Sequence, residues 1–364
     1  MTTSVFRLTP LALLAGLSLA VPAVQAAPVT ERVLEHTAEH VITRNYIRLA
    51  TATDRLAERL ATLHATPTAE QVAAARAAWR EARAYWETGE AHLFGPVDTD
   101  GHDPAMDSWP LDRRELAGLV EGSAPLGAAR IATLDGDVKG FHAVEFLLWQ
   151  RPVGEGRESA EQAAERLTEQ PRQRELLAAL GVDLNAHAAA MAAAWQGNAG
   201  HARQLAGAGT PASRLYPAMK GAVQELVEGM DGIADELAAA KLGEPLASGR
   251  LDGVESPWAR NTRADMRHNV EGIRNLWLGS LDGVDAGVGL RALAAANGAE
   301  VDAVDRALLV AAGRLETIGE TEGDSGRLAF AEAVASGEEA QQARIQAAVD
   351  AVRDLQARLD EALH

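Results

Sequence analysis

The sequence predicts an all-α protein built as two helical bundles. Strong helix formers (Ala, Leu, Glu, Arg, Gln) dominate most segments, and strand-like alternation of Val, Ile or Thr with polar residues is hard to find. Helix boundaries are punctuated in several places. A length of 364 residues leaves room for two domains, and a soft Gly-rich stretch falls near the middle. The expected division is a signal segment over 1–26, an N-terminal bundle over 27–205 and a C-terminal bundle over 206–364.

From the start of the chain, Arg7 gives a positive beginning, LTPLALLAGLSLAV a short apolar run, and Val24-Gln25-Ala26 a small-residue cleavage site. This pattern reads as a secretory signal peptide. No later segment has about 18 consecutive apolar residues, so the mature chain is expected to lack a transmembrane segment. The expected location is the periplasm, and association with the outer membrane through a partner is compatible with it. Thr66 followed by Pro67 reads as a helix start, opening EQVAAARAAWREARAYWETGEAHLF. GPVDTDGHDPAMDSWPLD then reads as a long irregular stretch, with prolines at 96, 104 and 110, and loops of that length are often functional. The soft boundary runs from Gly197 to Pro217, a second irregular segment from Leu251 to Thr262, and Asn297-Gly298 stops the helix GLRALAAA. The C-terminal GEEAQQARIQAAVDAVRDLQARLDEAL is an amphipathic helix.

Composition excludes several functions. A net charge of -18 argues against a nucleic-acid binder, which needs a basic footprint, and is compatible with a cation ligand. Cys is absent, so there is no disulfide framework, thiolate metal site or Cys nucleophile. No nucleophile-elbow, Walker or dinucleotide fingerprint occurs.

The segment that stands out is Gly140 to Gln150, GFHAVEFLLWQ. Apolar groups point in nearly every direction of this helix, so it should be buried, yet it carries His142 and Glu145. At i and i+3 they share a face, and one small cation can meet both. The plain alternative is a structural His–Glu pair. A buried, unpartnered carboxylate would be costly, so Glu145 needs His142, an Arg or a metal. Glu87 and Glu90 repeat the i, i+3 spacing on the preceding aromatic-rich helix, where Arg83 can pair with Glu87 at i, i+4. An Asp-rich loop follows, with Asp107 and Trp109 among its residues. Carboxylates with one imidazole suit Fe, Mn or Zn. HTAEH (His36 to His40) matches an inverted zinc-peptidase pattern, but five-residue motifs arise readily by chance.

GFHAVEFLLW resembles the G-x-H-x-x-E signature of the imelysin family. Three further blocks agree, in order: AWREARAYWETGEAHLFGPVD, DPAMDSWPLD and SPWARNTRADMRHNVEGIRNLWLG. Pro257-Trp258-Ala259-Arg260 replaces a Ser-rich run expected before Asn261. The resemblance implies two helical bundles with a site near their interface. Its ligand set would fall on His142, Glu145, Glu87, Glu90 and Asp107, with Asp103 the competing choice for the last. It also implies a link to iron uptake, since periplasmic iron-uptake proteins contain the same helical domain, and hence a partner in an envelope iron-transport system. Family members were also named as insulin-cleaving proteases and are classed with metallopeptidases. In that case Glu145 would be the catalytic candidate. Only one imidazole sits near the carboxylates, and catalytic zinc generally has more. A divalent-cation binder, with iron ahead of Zn or Mn, is therefore the preferred expectation, with Asn261, Thr262 and Asp265 of the second half closing over the ion.

Overall fold

In the computed structural model the described residues are 28–150, 158–319 and 328–364. The expected signal peptide lies outside them. Eight helices carry the architecture: α1 (Thr43–Ala65), α2 (Ala69–Gly89), α3 (Gly140–Trp149), α4 (Pro171–Trp195), α5 (Met219–Glu236), α6 (Thr262–Leu278), α7 (Val301–Leu315) and α8 (Glu339–Leu363). No strand forms among the described residues; one isolated bridge joins Gly319 to Ala329. The all-α expectation holds.

In the first half α1, α2 and α4 pack together with α3 across them. In the second, α8 packs against α5 and α7, and α6 against α7. α6 also lies along α2, so the halves meet through the helix that carries Glu87. One continuous apolar cluster runs through both. α4 is long and apolar enough to cross a membrane by length and composition. More than half of its apolar stretch is buried, and it packs on α1, as a core helix does.

Two local expectations change. Thr66 does not start a helix. It closes α1 with φ -143° and ψ 89°, because the residue before a proline is pushed out of the helical region. The cap of α2 is Thr68, whose hydroxyl accepts the Gln71 N–H. The stretch after Phe94 is less irregular than expected. It folds into two short helices, Pro96–Thr99 and His102–Asp107, with Gly101 in the left-handed region between them at φ 69°. The Asn297-Gly298 stop is observed: the Leu290–Ala296 helix ends there, with Gly298 at φ 86°.

Two glycines set how closely the second half approaches the end of α2. A Cβ on Gly272 of α6 would lie 2.3 Å from the Thr88 carbonyl oxygen, and one on Gly229 of α5 would lie 2.5 Å from that of Ala91. Gly272→Ala is therefore expected to cost about 1–3 kcal/mol in urea unfolding, as overpacking of a closed contact does. Gly118→Ala, on a helix with open space around it, should be neutral or slightly stabilising in the same assay.

His201 packs among Phe94, Trp195 and Tyr216, with its Nε2 2.9 Å from the Tyr216 hydroxyl. Burial lowers its pKa to about 4. The unfolded chain binds the proton nearer pH 6.5, so in that interval the unfolded state holds more protons. Stability should fall as pH drops from about 6.5 through 4. The midpoint of thermal unfolding of His201→Gln should depend less steeply on pH in that window than that of the unmodified chain.

Candidate metal centre

The site begins with a glycine. Gly140 opens α3 at φ 75°, and a Cβ there would stand 2.2 Å from the Met106 carbonyl oxygen. Only glycine permits that approach. It sets the first turn of α3 directly against the end of the His102–Asp107 helix. Asp107 is thereby held beside His142, with Oδ1 3.2 Å from His142 Nε2. Asp107, not Asp103, is the aspartate that meets the cluster.

Arg83 is the hub. It is fully buried, with Nη2 2.5 Å from Glu87 Oε1 and 2.6 Å from Glu255 Oε1. Its Nη1 pairs with Asp107 Oδ1, and its Nε lies 3.9 Å from Asp265 Oδ1. Trp86 Nε1 donates to Asp107 Oδ2 at 2.6 Å. His142 Nε2 is also 3.1 Å from Glu255 Oε1, and its Nδ1 is 3.3 Å from Glu145 Oε2. Glu145 is fully buried, and its other oxygen accepts the Ala259 N–H at 2.7 Å. Trp109 covers the imidazole with ring centroids 4.5 Å apart.

Glu87 and Glu90 face the second half. Asn269 of α6 donates to Glu87 Oε2 at 2.7 Å and Glu90 Oε2 at 2.8 Å. The Lys241 ammonium lies 2.6 Å from Glu90 Oε2 and 3.3 Å from Glu87 Oε2. Two triads can present one donor atom each within 4.8 Å of one another: Asp107, His142 and Glu255, and Glu87, Glu90 and Asp107. They share Asp107.

Four of the five expected ligands, Glu87, Glu90, Asp107 and His142, thus come together. Glu145 is adjacent but stands behind His142, orienting the ring and tying down Ala259. Asn261 immediately precedes α6, Thr262 and Asp265 lie in its first turn, and the three order the segment before the helix. Asn261 donates to Asp265 Oδ1 at 2.7 Å, and Thr262 donates to the Glu255 carbonyl. They fix the turn over 255–260, where Ser256 at φ 40° and Arg260 at φ 53° hold strained left-handed backbone. Trp258, in the segment that departs from the family pattern, packs on Trp109 and Phe146.

Sequence reasoning missed Glu255 and Lys241. Glu255 precedes the SPWARNT block by one residue, and Lys241 lies in AAAKLG, a buried lysine amid apolar neighbours on a π-helical turn, Leu237–Gly243. That lone cation in an apolar run was the available signal. His36 of HTAEH is committed elsewhere, with Nε2 2.8 Å from the Gly279 carbonyl.

Six carboxylates (Glu87, Glu90, Asp107, Glu145, Glu255, Asp265) face three side chains able to carry positive charge, Arg83, Lys241 and His142. At least three negative charges would remain uncompensated if all six were ionised. Burial, with Glu87 close by, drives the Glu90 carboxyl well above its ordinary range. Burial and Glu87 do the same to Asp265. Asp107 and Glu255 resist burial and lie below the ordinary range, Asp107 through Arg83 and His142, Glu255 through Lys241 and Arg83. Burial would lower the His142 pKa, but its hydrogen bonds to Asp107, Glu145 and Glu255 outweigh that and raise it well above the usual value.

A fold that is helical throughout the described residues, with a buried carboxylate–imidazole cluster where its two halves meet, is the class these features define. The chain belongs to the imelysin family, whose model matches residues 42–359. It is 34% identical over 265 residues to "Iron-regulated protein A" of Synechococcus elongatus, covering 72% of this chain and 68% of that one. The fold is similar to the crystal structure described as that of an iron-regulated protein A precursor from Parabacteroides distasonis, with a TM-score of 0.76 at 20% identity, covering 93% of this chain and 95% of the other. An imelysin-like protein from Psychrobacter arcticum superposes with a TM-score of 0.67 at 16% identity, covering 93% and 96%.

Gly140→Ala is expected to force α3 away from Met106 and separate Asp107 from His142. It should lower stability by about 1–3 kcal/mol in urea unfolding.

Proposed function

We propose that this chain is an imelysin-family binding protein that holds a divalent cation, iron foremost, in the cluster around Asp107, and that it serves iron acquisition in the cell envelope, working with an iron-transport system there. The observation that carries the reading is the excess of buried carboxylate over positive charge. An apolar interior does not tolerate such an excess without a proton or a cation. The donor set fits the ion: carboxylates and one imidazole suit Fe(II), Mn(II) and Zn(II). Glu87, Glu90, Asp107, His142 and Glu255 would hold it, and Glu145 would orient the His142 ring, as carboxylates behind metal-bound histidines do. The iron-regulated name of the Synechococcus relative supports iron ahead of the other two ions. Export to the periplasm follows from the N-terminal pattern Arg7 to Ala26.

The second reading is a metallopeptidase, favoured by the peptidase label that the family carries. It needs a general base free to reach a water and an open position on the metal. Glu145 spends one oxygen on the Ala259 N–H and the other on His142, and Trp109 stacks on the ring. Those contacts favour binding over hydrolysis.

Anaerobic calorimetric titration of Fe(II), Mn(II) and Zn(II) into the metal-stripped chain tests this. Tight binding is expected. His142→Ala/Glu145→Gln should weaken it by more than tenfold, the usual range for lost ligands and their supports being about 10–100-fold. Equal binding by the variant, or none by the unmodified chain, would sink the metal reading.

A further inference from the structure

The centre is not sealed evenly. On the side of the second half, Glu90 contributes to the wall of a cavity of about 380 Å³. The charged residues around it are all acidic: Glu90, Glu225, Glu228 and Glu236. The rest of the lining is apolar or glycine, and open space surrounds Gly232 on the α5 wall. Beneath Glu90 and Glu236 lies the Lys241 ammonium. Besides Glu90 and Glu87 it reaches Glu255 Oε2 at 3.7 Å and Glu236 Oε1 at 3.8 Å.

Arg83 and Lys241 make different kinds of contact. The Arg83 fork is planar and locked on several sides, whereas an ammonium is a compact charge on a flexible four-carbon stem. Lys241 also rises from a π-helical turn, a feature frequent at functional sites. Next to it, Asn269 spends its amide on Glu87 and Glu90, while its own Oδ1, on a fully buried side chain, accepts no hydrogen bond. A buried oxygen acceptor left without a donor, on a side chain bonded to two carboxylates, is suited to a cation.

We propose that the acid-lined cavity is the route by which a divalent cation reaches the centre, and that Lys241 is a tethered ammonium which the arriving ion displaces. This deepens the metal-binding reading and rests on it. Glu225, Glu228 and Glu236 concentrate cations at the mouth by focusing a negative field in a concave wall. At the floor, an ion of charge two competes with an ammonium of charge one for Glu87, Glu90 and Glu255. The displaced ammonium swings outward to Glu236, which it already approaches, so it leaves the centre without being stranded. Lys241 thereby keeps the metal-free centre from collapsing under its own repulsion and makes release reversible.

The experiment is stopped-flow tryptophan fluorescence with Mn(II), reported by Trp86 and Trp109 at the centre, together with equilibrium titration of the same ion. Lys241→Met keeps the stem and removes the charge. It should lower the thermal midpoint of the metal-free chain, tighten Mn(II) binding by at least tenfold, and recover the lost stability when the ion is added. Equal or weaker binding by Lys241→Met overturns the displacement. Glu225→Gln/Glu228→Gln leaves the ligands intact and should slow association several-fold at low salt, with the difference shrinking at high salt and dissociation unchanged. Equal association rates overturn the route, and this variant keeps the test open even if Lys241→Met does not fold. Absence of Mn(II), Fe(II) and Zn(II) uptake by the unmodified chain overturns both the inference and the metal-binding reading, whereas failure of the variants alone removes only the inference.

Discussion

The buried guanidinium of Arg83 is the interaction on which the rest of the molecule depends. It links α2 to itself through Glu87, to the loop through Asp107, and to the second half through Glu255 and Asp265. A fully desolvated cation with several carboxylate partners is costly to build and costlier to break, about 3–5 kcal/mol when one partner is removed. Its fixed fork dictates where those carboxylates point. The centre is therefore assembled only when both halves are in place, and the halves are held in register by the centre as well as by the apolar cluster they share.

The close contacts serve the same end. Gly272 and Gly229 let α6 and α5 reach the backbone of Thr88 and Ala91, which carries Asn269 and Lys241 up to Glu87 and Glu90. Gly140 does the same for α3 and Asp107. None of the three is a turn or a cap in the ordinary sense, apart from the positive φ of Gly140. Each removes a Cβ where two backbones must nearly touch, and each contact brings a polar or charged residue to the cluster. The G-x-H-x-x-E pattern acquires a physical reading from this: the glycine places the aspartate, the histidine meets it, and the glutamate holds the ring.

How much of this was legible in the sequence depends on range. The helical content followed from composition, and the burial of GFHAVEFLLW followed from its lack of a polar face. The i, i+3 pairs His142–Glu145 and Glu87–Glu90 were legible because a helix fixes the direction of residues three apart. Asp107 could not be separated from Asp103 by spacing, since the choice depends on the contact between Gly140 and Met106, more than thirty residues along the chain. Glu255 and Lys241 were invisible for the same reason. Their meaning lies in partners about 100 to 170 residues away, and a sequence reading of local pattern assigns such residues to a loop and to a helix face. The Thr66-Pro67 reading failed on a local point instead: the constraint a proline places on its predecessor outweighed the preference for proline at the first helical position.

A permanent ion-pair network and a metal site can look alike in a buried cluster, and charge balance distinguishes them. A network that exists only to brace a fold tends toward neutrality, since every unmatched buried charge adds a desolvation cost that no contact repays. Here Arg83 is shared among Glu87, Asp107, Glu255 and Asp265, and Lys241 among Glu87, Glu90 and Glu255, so the matching is incomplete: Glu90 and Asp265 are driven toward the protonated form, and Asn269 leaves an oxygen without a donor. The unmatched groups lie toward the second half, and Glu90 also lines the acidic cavity. The cost of burying them is met by the surrounding fold whether or not an ion is present. What an ion would gain on arriving is the full attraction of carboxylates already stripped of water and already held in position. On the metal-binding reading, such a site would bind strongly because the protein, not the ion, has done the ordering.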